Sequence, residues 1–262
     1  MTFLEDFSRL TDVAWRRSFE AEHGLFVAEG YLTITRALAA GYMPRCVLTA
    51  PKFEPDLRSL LPGVAFEVVS ESELESITGF HVHRGALASF ERPANRSLDE
   101  LGSARRIAVL DDLVDHENVG TIIRSAAALG IDALVLTDTC ADPLYRRSIK
   151  TSMGAVFAVP WMRAGAGANL AVELRKRGFT QWGLTPAGMQ QLGATPTGDR
   201  PLALWLGNEG EGLSGHVVAE MDELVSISMS RGVDSINVAA AAAIAFWSLA
   251  QDAQSAAEER ET

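Results

Sequence analysis

Apolar and polar positions divide the chain into two regions with a polar break between them. In the first region, Gly30 to Ala40 carries Leu32, Ala37 and Leu38 at helical spacing, and Gly41 supplies a stop. Arg45–Thr49, Phe66–Val69 and Gly85–Phe90 are short apolar runs between turn-forming residues, which predicts strands. Ser70-Glu71-Ser72-Glu73 has the capping-box pattern and predicts a short helix directly after the second of them. Arg92 to Glu100 is polar, carries Pro93 and keeps no period, so a linker is expected there. Beyond it, Arg106–Leu110, Ala133–Leu136, Phe179–Leu184 and Leu202–Leu206 predict strands, with shorter ones at Val156–Val159 and Leu224–Ile227. Helices are predicted at Val119–Leu129, Ser148–Ala155, Ala168–Arg177 and Val238–Ala250. Strands apolar along their whole length, alternating with helices, require a parallel sheet covered on both faces. The fold class is therefore α/β, with a small α/β unit preceding the larger one.

Composition narrows the function only slightly. The 262 residues are 47% hydrophobic and 22% charged, as in an ordinary globular protein able to bury a core. The formal net charge is −11, which argues against a nucleic-acid binder, because phosphate contacts need clustered Lys and Arg. Residues 1–100 hold 10 basic and 15 acidic side chains and the remainder 13 and 19, so the acidity is spread over both regions and is not a tail. Cys46 and Cys140 lie far apart, at neither metal nor disulfide spacing, which fits free thiols in a reducing cytoplasm. The start of the chain lacks the basic and apolar segments of a signal peptide, and Val238–Leu249 is too short to cross a bilayer; a soluble, cytoplasmic protein is expected. His81 and His83 flank no acidic or cysteine partner at metal spacing, so no metal is expected, and with Arg84 they suit a surface or an RNA-facing role.

Three segments sit where a parallel sheet exposes free backbone amides, at the carboxyl ends of strands. Asp115 to Ala126 enters a helix, with Asn118 expected as its N-cap and Gly120 allowing close approach. Arg124 interrupts that apolar helix and needs an anionic partner, either a structural carboxylate or a bound phosphate. Leu204 to Ser214 runs a strand into a loop with three glycines, two carboxylates and no lysine, which suits a neutral or cationic small molecule better than a triphosphate. Ile227 to Ala240 feeds an alanine-rich helix past Ser235 and Asn237, one more polar residue than capping needs.

Taken in order, N-x-G-x-x-x-R, L-G-N-E-G-x-G-L and I-x-M with S-I-N-V-A-x-A-A resemble the SpoU/TrmH family of SPOUT RNA methyltransferases over about residues 103–250. Asp142-Pro143 and Ser152 to Pro160 look like the family's intermediate segment, and Phe26 to Gly30 with Gly85 to Ala88 is similar to its ribosomal-protein-like substrate-binding domain. The resemblance implies residues 1–93 as that RNA-binding domain, 94–104 as a linker and 105–262 as a methyltransferase domain with a deep trefoil knot, working as a homodimer through this C-terminal domain. It implies S-adenosylmethionine as cofactor and a ribose 2′-oxygen of rRNA or tRNA as methyl acceptor. Asn118, Arg124, Glu209, Ser235 and Asn237 fall on its catalytic positions. Gly207, Asn208, Gly210, Ile227, Met229, Ile236, Asn237 and Ala240 fall on its cofactor-binding positions. The basic residues Arg84, Arg146, Arg147 and Lys150 are assigned to RNA. Relatives give the arginine at position 124 a part in deprotonating the hydroxyl; a guanidinium is a very poor base, and stabilising the developing alkoxide suits it equally.

Two departures weigh on the resemblance. Ser228 stands where proline is usual in the third motif and Ile236 where leucine is usual; both positions serve through backbone, so cofactor binding is expected to survive, weakened at most. His116 replaces a common proline. With the acidic balance, these departures keep open an alternative, a knotted RNA-binding or ribosome-assembly factor without catalysis. No membrane or metal partner is expected.

Overall fold

The structure is a computed structural model that describes residues 3–82, 85–194 and 200–261. Contacts divide the chain into two compact units, residues 1–94 with 143–158, and residues 95–142 with 159–262. The chain thus leaves the second unit at Pro143 and returns to it at Val159, so the intermediate segment packs with the N-terminal residues.

The first unit runs α1 (Val13–Glu22), β1 (Leu25–Glu29), α2 (Tyr31–Ala39), β2 (Pro44–Thr49), α3 (Glu54–Leu60), β3 (Ala65–Val68), α4 (Glu71–Thr78) and β4 (Ala86–Glu91). Its sheet has the order β1-β4-β2-β3, with β4 antiparallel to both neighbours and β2 parallel to β3. α1, β1 and α3 escape the sequence patterns; β1 is buried at every residue and shows no alternation to read. One core gathers Phe7, Leu10, Phe19, Leu25, Leu48 and Leu87, among others. The capping box at the start of α4 forms as expected, with Ser70 and Glu73 satisfying each other's backbone N–H. Two buried polar groups stiffen the unit. Asp6 accepts from Ser89 Oγ at 2.6 Å and from Cys46 Sγ at 3.6 Å, with Arg45 at 3.3 Å. Arg16, 1% exposed, pairs with Glu20 at 2.6 Å and donates to the Asp6 carbonyl at 2.9 Å.

The intermediate segment departs from its expected elements. The helix is α6 (Arg146–Thr151), two residues earlier than the apolar period suggested. Met153 and Gly154 both adopt left-handed backbone and end it. Val156–Val159 is not a strand: Ala155–Phe157 forms a 3-10 turn that sends the Phe157 ring among Phe26 and Tyr42, at 5.7 and 5.1 Å. Aromatic packing here overrides β-propensity.

The second unit runs β5 (Arg106–Leu110), α5 (His116–Ala128), β6 (Ala133–Leu136), β7 (Trp161–Arg163), α7 (Gly167–Lys176), β8 (Thr180–Leu184), β9 (Gln190–Gln191), β10 (Leu202–Leu206), α8 (Gly215–Val218), β11 (Glu223–Ser226) and α9 (Val238–Glu261). Its seven-stranded sheet has the order β7-β6-β5-β10-β8-β11-β9 and every pair is parallel, as the apolar strands require. β10 lies between β5 and β8, in register so that Leu206 is level with Leu110 and Leu184. One face of the sheet packs Val109, Val135 and Trp205 against Leu170 and Leu174 of α7. Trp205 is fully buried, and its indole Nε1 donates to Gln181 Oε1 at 2.6 Å. α5 and α9 pack on each other, and α9 turns Ala239, Ala242, Phe246 and Leu249 inward at helical spacing. The expected linker is partly ordered: Ser97 and Glu100 cap a 3-10 turn at Leu98–Leu101, and Asn95 bonds both backbone groups of Arg163 at 3.0 Å. α9 continues through Glu261, past the Ala250 at which the predicted helix ends.

Candidate functional site

The sheet changes direction of winding between β5 and β10, which opens a crevice at the carboxyl ends of its strands. A pocket of about 600 Å³ occupies that end, a volume suited to a cofactor-sized molecule. Its walls come from Leu184–Pro186 after β8, Leu206–Leu213 after β10, Ile227 and Met229 after β11, and Ser235–Val238 with Ala241 at the start of α9. All three sequence loops expected to bind a ligand therefore meet near one place, two of them as pocket wall.

The loop after β10 is built by glycine and asparagine. A Cβ on Gly207 would lie 2.4 Å from the Gly212 carbonyl carbon and the Leu213 nitrogen, so only glycine lets the loop fold back on itself. Asn208 N–H donates to the Gly212 carbonyl at 3.1 Å and Gly212 N–H returns a bond to Asn208 at 2.9 Å. The Asn208 side chain accepts from Gly210 N–H at 2.8 Å and from Glu211 N–H at 3.3 Å, and donates to the Asp112 carbonyl at 2.8 Å. Asn208 thus lines the pocket with its side chain already spent on the loop. Asp112 takes the left-handed turn out of β5 that aims its carbonyl there. Beside it, burial pushes the Asp111 carboxyl above its ordinary range, helped by the charge of Asp112.

Asn118, Glu209 and Asn237 join in one hydrogen-bonded relay. Asn118 Nδ2 donates to Glu209 Oε1 at 2.8 Å, and Asn237 Nδ2 donates to Asn118 Oδ1 at 3.0 Å. Asn237 Oδ1 accepts from Ala239 N–H at 2.8 Å and Ala240 N–H at 3.4 Å, which makes it the cap of α9. Both ends fix the orientation of the amides: a helix start offers only donors and an ionised carboxylate only acceptors. Asn237 Oδ1 must face the helix, Asn118 Oδ1 must face Asn237, and Asn118 Nδ2 must face Glu209. Asn118 is not the N-cap of α5. Asp115 is, accepting from Glu117 N–H at 2.6 Å, and Asn118 sits within the first turn, where its side chain is left for the relay.

The other expected site residues fall differently. Gly207, Gly210, Ile227, Met229, Ser235 and Ile236 line the pocket. Ala240 does not; on α9 the wall passes from Asn237 and Val238 to Ala241, four and three residues on, and Ala240 points elsewhere. Arg124 stands six residues after Asn118, on another side of α5, exposed and paired with no carboxylate among the described residues, so the structural salt bridge that its setting allowed is absent. Arg146 is paired with Glu29 at 2.8 Å and lies over the Phe80 ring at 4.2 Å. Its guanidinium thus takes part in the first unit's own packing. Arg147 and Lys150 are exposed, and Arg84 lies outside the described residues, as does His83. The sequence patterns missed Leu184, Thr185 and Pro186, although the proline two residues past the apolar strand is a turn signal at its carboxyl end. Among the described residues no helix is long and apolar enough to cross a membrane.

The pocket fits a compact cation. Its glycine loop carries Glu209 and Glu211 with no opposing Lys or Arg in the wall, Ile227, Met229 and Ile236 offer apolar surface, and Gly207 and Gly210 bring backbone to the cavity.

Comparison with known proteins agrees with this arrangement. Residues 105–247 match the SpoU rRNA Methylase family. An uncharacterized tRNA/rRNA methyltransferase of Mycobacterium tuberculosis is 37% identical over 251 residues, 93% of this chain and 87% of the relative. The 23S rRNA (guanosine(2553)-2′-O)-methyltransferase RlmP of Bacillus subtilis is 28% identical over 225 residues, 86% and 88% of the two chains. The crystal structure of an AdoMet-bound rRNA methyltransferase from Sinorhizobium meliloti superposes with a TM-score of 0.82 at 25% identity, covering 95% of this chain and 94% of that one.

Proposed function

This chain belongs to the SpoU rRNA methylase family, and from that membership and the pocket we propose that it is an S-adenosylmethionine-dependent RNA methyltransferase whose target is a ribose 2′-hydroxyl of rRNA or tRNA. The observation that carries the reading is the relay Asn237–Asn118–Glu209 at the rim of a glycine-lined, cation-compatible pocket.

S-adenosylmethionine, when bound, supplies an electrophilic methyl carbon on a positively charged sulfur. Gly207, Gly210, Ile227, Met229 and Ile236 would hold it, largely through backbone and apolar contact, and the carboxylates of Glu209 and Glu211 favour its charge. Asn118 occupies Glu209 Oε1, which leaves Oε2 of this pocket-lining residue to accept the hydrogen bond of the ribose hydroxyl. Asn237 holds Asn118 against the start of α9 and keeps that pairing rigid. Ser235, on the wall, offers a further hydroxyl to the substrate. Arg124, a permanent cation with no partner among the described residues, is not part of the pocket wall and lies on another side of α5 from Asn118; the role we assign it, stabilising the negative charge that grows on the oxygen, requires the substrate ribose to reach that side of the helix.

The same reading includes a deep trefoil knot in the C-terminal domain, a homodimer through that domain, an RNA-binding N-terminal domain and a place in the cytoplasm. The dimer is supported by Ile244 and Trp247 of α9, which are 42% and 57% exposed and three residues apart on one side of the helix.

The test is incubation with methyl-labelled S-adenosylmethionine and total bacterial RNA, followed by digestion to nucleosides. Label in a 2′-O-methylnucleoside is expected. Label confined to a base, or none in any RNA fraction despite cofactor binding by calorimetry, would overturn it.

A further inference from the structure

The intermediate segment Pro143–Ala158 leaves one unit to become part of the other, and it is fastened there by three different kinds of contact. Arg146 forms its ion pair with Glu29, at the end of β1, and its guanidinium stacks on Phe80. Arg36 of α2 donates to the Met153 carbonyl. Phe157 enters the ring cluster of Phe26 and Tyr42. The first contact is desolvated: the Glu29 side chain is 3% and that of Arg146 18% exposed, and Arg146 Nε is buried without a hydrogen-bond partner. A charge taken this far from water for one bond and a ring face is held for its position.

Its position sets that of α6. Ser148 and Ile149 are buried beside it, while Arg147 and Lys150, three residues apart, both face solvent. We propose that Arg146 is a positioning residue: locked by Glu29 and Phe80, it holds α6 so that Arg147 and Lys150 form a fixed basic rung for the RNA phosphate backbone. The proposal rests on the reading of the protein as an RNA methyltransferase. It opposes the simpler assignment of Arg146 itself to phosphate, and the two differ in sign. If Arg146 contacted RNA directly, neutralising Glu29 would release a cation and tighten binding. If Arg146 is the lock, the same change loosens the rung and weakens binding, although it makes the protein less negative.

The experiment measures binding of total ribosomal RNA by Glu29→Gln, Arg146→Ala, Arg146→Lys and the pair Arg147→Gln/Lys150→Gln across a salt series. Calorimetry with S-adenosylmethionine and hydrogen exchange of α6 in RNA-free protein accompany it. The double variant is expected to lose about tenfold in affinity per contact at 0.1 M salt and to flatten the log–log salt slope by about 2. Glu29→Gln and Arg146→Ala are expected to weaken RNA binding several-fold and raise exchange across α6, with Arg146→Lys restoring part of both and cofactor affinity unchanged throughout. Tighter or unchanged RNA binding by Glu29→Gln, or an unaltered slope in the double variant, overturns the proposal. Wild-type protein that binds RNA through this rung yet methylates none would remove the functional reading alone, and exchange on α6 decides the lock in either case.

Discussion

Gly207→Ala tests the pocket at its tightest point. The added carbon would stand 2.4 Å from two backbone atoms of Gly212 and Leu213, where ordinary contact begins at 3.4 Å, so the loop must open by about 1 Å. No flexible side chain can absorb that, since the obstructing atoms are backbone. The displacement falls on the reciprocal bonds between Asn208 and Gly212, at 3.1 and 2.9 Å, and loosens the three bonds of the Asn208 side chain. Losing two to three net hydrogen bonds costs about 2–3 kcal/mol. Placed on the ligand-competent state of the loop, this is a loss of about 30- to 150-fold in cofactor affinity. Titration calorimetry with S-adenosylmethionine reads it directly, and a thermal melt checks that the sheet beneath remains folded. Binding within threefold of wild type would show that the loop after β10 does not shape the cofactor site.

Four shorter expectations follow from the same geometry. Arg124→Ala should reduce methyl transfer at least about 100-fold while leaving cofactor affinity and melting temperature nearly unchanged, because the guanidinium meets no carboxylate within the chain among the described residues; equal loss of binding and turnover would contradict the separation of roles. Asn118→Asp should be worse than Asn118→Ala at neutral pH and recover as pH falls, since it sets an oxygen 2.8 Å from Glu209 Oε1 where a donor stood; matched pH profiles for the two variants would refute the relay. Arg16→Ala should destabilise the first unit by about 3–5 kcal/mol in urea titration by leaving Glu20 charged, buried and without this partner, whereas an effect below about 1 kcal/mol would deny the pair its structural part. Cys46 is pushed up to about 12, by burial first and by Asp6 second, so native protein should resist thiol reagents at pH 8, and its contribution to stability should be whole below about pH 9 and fade as pH rises toward 12; rapid labelling of native protein would show the thiol to be accessible.

What the sequence discloses and what it hides follow from the range of the forces involved. The parallel sheet of the second unit was legible because its strands are apolar on both faces and its helices are periodic, both local consequences of burial. β1 and α1 were hidden for opposite reasons: β1 has no alternation, and α1 buries Arg16 and Glu20, so a polar pattern conceals an inward face. Val156–Val159 misled because β-branched and aromatic residues favour a strand wherever nothing competes, while here a left-handed Gly154 and a ring cluster compete. At the site, glycine loops and polar helix starts could be read singly. Their convergence could not, because Asn118, Glu209 and Asn237 are joined only by the order of strands in the sheet. The N-cap at Asn118 failed for the same reason: Asp115 and Asn118 are both competent caps locally, and the partner that claims Asn118 lies 91 residues away.

The net charge of −11 carries a related lesson about scale. Charges in water at physiological salt feel one another over about 8 Å, less than the length of a five-residue strand, which is about 16 Å. A sum over the whole chain therefore averages surfaces that do not sense each other. The glycine loop needs its two carboxylates to favour a sulfonium, and a phosphate chain needs cations only where it passes. Arg147 and Lys150 are two exposed cations on one short helix, and in the proposal above the ion pair of Arg146 with Glu29 sets where those two point. If local clusters of cations and not the whole surface attract RNA, affinity for unrelated RNA should be weak and fall steeply with salt. Tight binding to random RNA that persists at high salt would mean that contacts other than these cations hold the nucleic acid.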